Sequence, residues 1–294
     1  MQILIFGRSG QVARELGRQS WPEHIGVRQL GRDDCDLGDA DAVAEAVRAS
    51  RAEIVINAAA YTAVDKAETE PALAAKINRD APAAMAKACA NTGAWLIHLS
   101  TDYVFDGRKA SPYVESDPSA PLSVYGRTKA DGEAEIRSAL AQHVILRTSW
   151  VFAGHGNNFV RTMLRLSAER PELRIVCDQQ GGPTWAGDIA SAVRLVSEHI
   201  RTGNGGPGTF HLTGKEPTTW HDFALCIFRM TGRDMRIVPI KTADYPTAAK
   251  RPLNSILDCS RIARTYGILQ PDWRRGLVAA LSELGAEPTG GYRS

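Results

Sequence analysis

The sequence lacks the means for a disulfide framework. Its five cysteines, Cys35, Cys89, Cys177, Cys226 and Cys259, are odd in number, widely spaced and form no Cys-x-x-Cys pair. That excludes a cysteine-stapled scaffold and a thiolate zinc site, and leaves small apolar core residues in a reducing compartment. Charge of one sign is missing too. The 35 Lys and Arg stand against 33 Asp and Glu, giving a formal net charge of +2 with basic residues spread along the chain. No surface for nucleic acid is expected from that. No apolar run approaches the ~20 residues that a membrane helix needs. No charged-then-apolar leader precedes the first strand-like segment. A cytoplasmic protein without a membrane partner is expected. Neither an internal repeat nor a low-complexity tract is present.

What is there suits a soluble globular protein. The chain has 294 residues, 44% hydrophobic and 23% charged, enough for one large or two modest domains with a substantial core. It opens with an apolar run, Gln2 to Phe6, that reads as a strand buried on both faces. Gly7-Arg8-Ser9-Gly10-Gln11-Val12-Ala13 follows, then a helix to about Ser20. Strand, glycine turn and helix form the context in which such a turn binds phosphate. Gly7 permits the tight turn, Gly10 lets backbone approach a pyrophosphate at the helix N-terminus, and Ala13 allows close helix–strand packing. Further strands are expected at His24 to Leu30, Glu53 to Asn57, Trp95 to Ser100 and His143 to Ser149, alternating with helices. That rhythm predicts an α/β fold with a doubly wound, Rossmann-type parallel sheet. Residues 1–150 are expected to form the dinucleotide-binding domain, with a strand returning to its sheet near 209–214. Residues 151–294 are expected to supply mainly a smaller, interleaved substrate lobe.

One pairing in the helix after the fourth strand carries chemistry. Tyr125 and Lys129 lie four residues apart and so share a helix face. A cation one turn away is expected to lower the tyrosine pKa, turning the phenol into a group that passes a proton to or from a substrate oxygen. The pairing is common on helices by itself. Here Ser100-Thr101-Asp102 ends a strand just before it, at the carboxyl edge where ligands of such sheets bind.

With these residues in view, the chain resembles the extended short-chain dehydrogenase/reductase superfamily, and within it the dTDP-4-dehydrorhamnose reductases. The likeness covers nearly the whole chain. It rests on Gly7-x-x-Gly10-Gln11-Val12, Asn57 to Glu68, Ser100 to Phe105, Val124-Tyr125-Gly126-x-x-Lys129, Arg147 to Val151, Gly156 to Phe159, Gly182-Pro183-Thr184, Thr219 to Asp222 and Arg251-Pro252-x-Asn254-Ser255. The resemblance implies hydride transfer from a nicotinamide cofactor to the C4 keto carbon of a dTDP-linked 4-keto-6-deoxyhexose, by a monomer or a homodimer. It implies Tyr125, Lys129, Thr101 and Asp102 as catalytic residues. Tyr125 gives the proton, Lys129 lowers its pKa and holds the ribose, Thr101 bonds the carbonyl oxygen, and Asp102 adjusts the pKa match. It implies cofactor contacts at Gly7, Gly10, Gln11, Val12, Asp36, Leu37, Ala60, Tyr61, Thr62, Tyr125 and Lys129. Trp150 is implied to lie along the sugar, with Thr101, Asp102 and Tyr125.

Two departures qualify it. Relatives often carry an acidic residue where Gly31-Arg32 stand, so Arg32 joins the cofactor set and NADPH is expected to be preferred, with NADH usable. Some members hold magnesium between glutamates. Gly187 occupies one such position and Glu283 alone survives near the C-terminus, so no metal is expected. Among rivals, a 4,6-dehydratase needs an acid where Tyr103 stands. A reductase giving the C4 epimer uses the same residues, and non-catalytic regulatory subunits of this fold need no proton donor.

Overall fold

The computed structural model describes residues 1–286. Six strands make the central sheet: β1 Gln2–Phe6, β2 Gly26–Leu30, β3 Ile54–Asn57, β4 Trp95–Thr101, β5 His143–Thr148 and β6 Gly208–His211. All pair in parallel, in the order β6-β5-β4-β3-β1-β2. This is the α/β, doubly wound arrangement. The order reverses between β1 and β3, and a crevice opens at the carboxyl ends of such a pair.

Strand alternation explains the two layers. Ile3 and Ile5 of β1 face one apolar cluster with Val12, Leu16, Ile189 and Val193. Leu4 and Phe6 face another with Val43, Val47, Met85, Cys89 and Ile136. Successive side chains of a strand point to opposite faces, so a continuous apolar run is what a sheet covered on both sides requires. The first cluster is covered by α1 Gln11–Arg18 and by the helix Ala186–Arg201. The second is covered by α2 Ala40–Ser50, α3 Ala81–Thr92 and α4 Val124–Ala139.

A third cluster lies in the later half of the chain, with Phe152, Val160, Met163, Phe223, Ile227, Trp273 and Leu277 among its members. It joins α5 Phe159–Glu169, α6 Ala186–Arg201 being on the main sheet instead, α7 Trp220–Met230 and α8 Trp273–Glu283. Of the lobe expected over 151–294, residues 287–294 lie outside the described residues.

The alanine-rich stretch that begins at Pro71 is not one continuous helix. A short helix, Pro71–Ala75, passes into a π turn, Lys76–Asp80, and α3 starts afresh with Pro82 in its first turn. The wider turn directs Asn78 inward, where it is 1% exposed. Its Oδ1 accepts from the Tyr61 N–H at 2.8 Å, and its Nδ2 donates to the Tyr61 carbonyl at 3.1 Å and to Thr128 Oγ1 at 3.2 Å. One buried amide thereby ties the segment after β3 to α4.

Candidate active site

The start of α4 is fixed by two side chains. Ser123 accepts from the Gly126 N–H at 3.1 Å, a standard N-cap bond. Glu68 accepts from the Val124 N–H at 2.8 Å. Gly126 sits against the Tyr103 carbonyl, where an added Cβ would overlap. Only glycine lets the chain leaving β4 lie this close, and that brings Tyr125 beside Thr101. Tyr103 meets the Tyr125 ring edge-on, with centroids 5.6 Å apart. Thr101 caps the short helical turn Asp102–Val104: its Oγ1 accepts from the Tyr103 N–H and donates to Asp102 Oδ1 at 3.0 Å.

The electrostatics differ from the expectation for the tyrosine. Burial pushes the Tyr125 phenol up to about 12, and the neighbouring Thr101 hydroxyl pulls against this. Lys129 is 2% exposed, and burial brings it down to about 8. Its Nζ donates to the Leu99 carbonyl at 2.6 Å and lies 3.1 Å from His98 Nε2. Burial is thus the largest cause for both groups, and Tyr125 stands above its ordinary value although a lysine lies one turn away. Burial also raises Asp102 to about 6.

Tyr125, Lys129, Thr101 and Asp102 line one end of a cavity of about 820 Å³. Gly7, Gly10, Gln11 and Val12 line it at the β1–α1 turn, with Arg32, Asp36, Leu37, Ala60 and Thr62. Gly7 has φ +121°, and a Cβ there would press on Ala13 and the Ala58 carbonyl at 3.1 Å. Gly10 caps α1 without a side-chain bond, so the helix's first N–H groups face the cavity unclaimed by a capping side chain. This end fits a dinucleotide: a close backbone approach, a helix N-terminus and space reaching β2. Beyond β2, Asp34 accepts from the Gly31 N–H at 2.7 Å and pairs with Arg8 at 2.6 Å. Arg32 has no ion pair among the described residues.

Tyr61 is the exception among the expected residues. Its hydroxyl donates to Glu70 at 2.6 Å, and it is not part of the cavity wall.

The lobe closes the other side. Trp150 leaves β5 with φ +48°, a left-handed conformation that a bulky residue adopts only when its surroundings impose it. Its indole stacks on Trp220 at 3.6 Å and 8°, and Gly181 lies against its edge. Trp220 is held by Gln179 at 3.2 Å and packs on Phe159. Arg251 also lines the cavity, paired to both oxygens of Asp65 at 2.7 and 3.3 Å. Residue-by-residue reading missed Trp220, Arg251 and Asp65, although each falls in a stretch that carries the family likeness.

Glu283 is not alone. Glu15 and His155 join it, all within 4.8 Å of one another. Arg18 donates to Glu15 at 2.9 Å and to Glu283 at 2.8 Å. The guanidinium supplies positive charge to both carboxylates, while His155 Nδ1 is buried without a hydrogen-bond partner.

Comparison with known proteins agrees with this architecture. The family described as RmlD substrate binding domain matches residues 1–286. The dTDP-4-dehydrorhamnose reductase of Sinorhizobium fredii is 44% identical over 96% of this chain and 98% of its own. A crystal structure of a dTDP-4-dehydrorhamnose reductase from Clostridium acetobutylicum is 39% identical with a TM-score of 0.91, covering 97% of this chain and 100% of that one. The Bacillus anthracis dTDP-4-dehydrorhamnose reductase, solved in complex with NADP, is 35% identical with a TM-score of 0.89, covering 96% and 99%. By sequence over nearly its full length and by fold, the chain belongs to the dTDP-4-dehydrorhamnose reductase family.

Proposed function

We propose that this protein reduces the C4 keto group of dTDP-4-dehydro-L-rhamnose to give dTDP-L-rhamnose, with NADPH as the preferred donor. The observation that carries the reading is the cavity itself. A phosphate-cradling turn at one end is continuous with the Tyr125, Thr101 and Lys129 cluster at the other. When bound, NADPH supplies the hydride to C4. Tyr125 is protonated at neutral pH because burial holds its phenol up to about 12, and so it is an acid rather than a base. It gives its proton to the developing alkoxide. Thr101 bonds the same oxygen and stabilises the growing charge. Lys129 holds the cofactor ribose. In the structure the Thr101 hydroxyl donates to Asp102, and with its single proton it turns from Asp102 to the substrate oxygen to act.

The test is NADPH oxidation in the presence of the keto-sugar, followed by NMR identification of the product. A rhamnose product supports the assignment. A 6-deoxytalose product replaces it with the C4-epimer reaction, and no turnover replaces it with a binding role.

Trp150 presents a flat apolar surface suited to a sugar ring. Its stack on Trp220 makes the two indoles one platform. Trp150→Ala is expected to raise KM for the sugar nucleotide by roughly 2–10-fold, the worth of one aromatic pair, and to leave KM for NADPH nearly unchanged. A core role would instead cost about 3–5 kcal/mol of stability. Melting temperature and both KM values, measured together, decide between them.

NADPH preference rests on Arg32, just beyond β2, and Arg8 of the β1–α1 turn. The 2′-phosphate suits a guanidinium fork, and Asp34 is already held by Arg8. A charge-assisted bond contributes about 1.5–3 kcal/mol, so kcat/KM is expected to favour NADPH about tenfold or more. Arg32→Ala should shrink that ratio. Equal values for the two cofactors in the parent, or an unchanged ratio in the variant, would remove Arg32 from the site.

A further inference from the structure

His98 lies on β4 with no exposure, between Asn57 of β3 and Lys129 of α4. A chain of hydrogen bonds fixes where its proton sits. The Ala59 N–H donates to Asn57 Oδ1 at 3.2 Å, so the amide oxygen is committed and its NH2 group faces His98. Asn57 Nδ2 is 3.0 Å from His98 Nδ1. An amide nitrogen can only donate. Nδ1 must therefore offer its lone pair, and the ring proton of neutral His98 belongs on Nε2. Burial keeps the ring from taking a second proton.

Nε2 points at Lys129 Nζ, 3.1 Å away. An ammonium has three donors and no acceptor, so an N–H aimed at it meets no lone pair. A neutral amine has one. It can accept from Nε2 while it donates to the Leu99 carbonyl at 2.6 Å. We infer that His98, oriented by Asn57, turns an N–H rather than a lone pair toward Lys129, so that it favours the neutral amine over the ammonium in the cofactor-free protein and is a positioning residue for the lysine's protonation.

The other groups around the pair leave this intact. Glu133, one turn further along α4, favours the ammonium, but Arg147 of β5 and Arg137 already share its carboxylate. Tyr125 and Asp102 lie on the cavity side. Burial of Lys129 acts in the same direction as the imidazole N–H. The consequence for turnover rests on the proposed function: a Lys129 ammonium that loses its proton more readily stabilises the Tyr125 phenolate less, which keeps Tyr125 an acid. The protonation states themselves do not depend on that reading.

The test uses full-length, cofactor-free protein labelled with 15N-histidine and 13Cε-lysine, with the Lys129 signal assigned from Lys129→Met. The expected result is a His98 ring protonated on Nε2 and a Lys129 midpoint of about 8. Asn57→Asp offers an acceptor in place of the donor. It should move the proton to Nδ1 and raise the Lys129 midpoint by about one unit or more. A His98 proton on Nδ1 in the parent, or a parent Lys129 titrating near its ordinary value of ~10.4, overturns the inference. The parent spectra decide alone if the variant fails to fold. No substrate is present, so a failure of the reductase reading would show separately, as absent turnover.

Discussion

Tyr125→Phe is expected to lower kcat for keto-sugar reduction by roughly 10²- to 10⁴-fold, the usual contribution of a positioned acid. The variant keeps the ring, and with it the edge-on contact with Tyr103. Only the hydroxyl beside Thr101 is lost. NADPH affinity, read by fluorescence titration, should therefore change little. The pH dependence has a defined sign. Burial raises the phenol to about 12, so the donor stays protonated across the neutral range. Loss of turnover through ionisation of Tyr125 is expected only on the alkaline side. A variant that reduces the sugar at the parent rate would show that the proton comes from elsewhere, with Asp102, raised to about 6, the next group to test.

How much of this was legible in the residues depends on how local each feature is. The strand, glycine turn and α1 are contiguous, and the apolar run Gln2 to Phe6 announces a strand buried on both sides. Tyr125 and Lys129 are one turn apart, so helical spacing alone places them on one face. The same spacing says nothing of burial, and burial decides their charge. Lys129 is turned to Leu99 and His98, thirty residues away in sequence, and burial is the largest influence on the Tyr125 phenol. Trp220 reaches Trp150 from a segment seventy residues later, and Arg251 reaches Asp65 from further still. Such partners have no periodicity to betray them. The π turn at Lys76–Asp80 was hidden for another reason. Its alanine-rich flanks are good helix formers, and only the tertiary demands on Asn78 select the wider turn.

Glu133→Ala is expected to be the most destabilising single change near the site. Glu133 is fully buried and Arg147 is 3% exposed, and they pair through two bonds of 2.9 and 2.6 Å. Ser100 donates to the same carboxylate at 2.6 Å, and Arg137 at 3.0 Å. Truncation leaves the Arg147 guanidinium buried without its counter-ion, with only the Phe105 ring at 5.0 Å and His211 at 3.5 Å for company. Breaking a buried pair in this way costs about 3–5 kcal/mol, which corresponds to a fall of roughly 10 °C in Tm for a chain of this size. The pH dependence follows from the carboxyl. Burial alone would raise it, but hydrogen bonds from Arg147 hold it below the ordinary value. A depressed carboxylate contributes fully above its unfolded pKa of ~4.3 and loses that contribution as pH falls through the folded value. The Tm difference between parent and variant should thus be constant near neutrality and narrow only below about pH 4.3. Thermal melts of both proteins from pH 7 downward make the comparison. A variant melting with the parent at pH 7 would mean that the four-residue network adds nothing to stability. A gap that narrows well above that pH would mean that another group carries it.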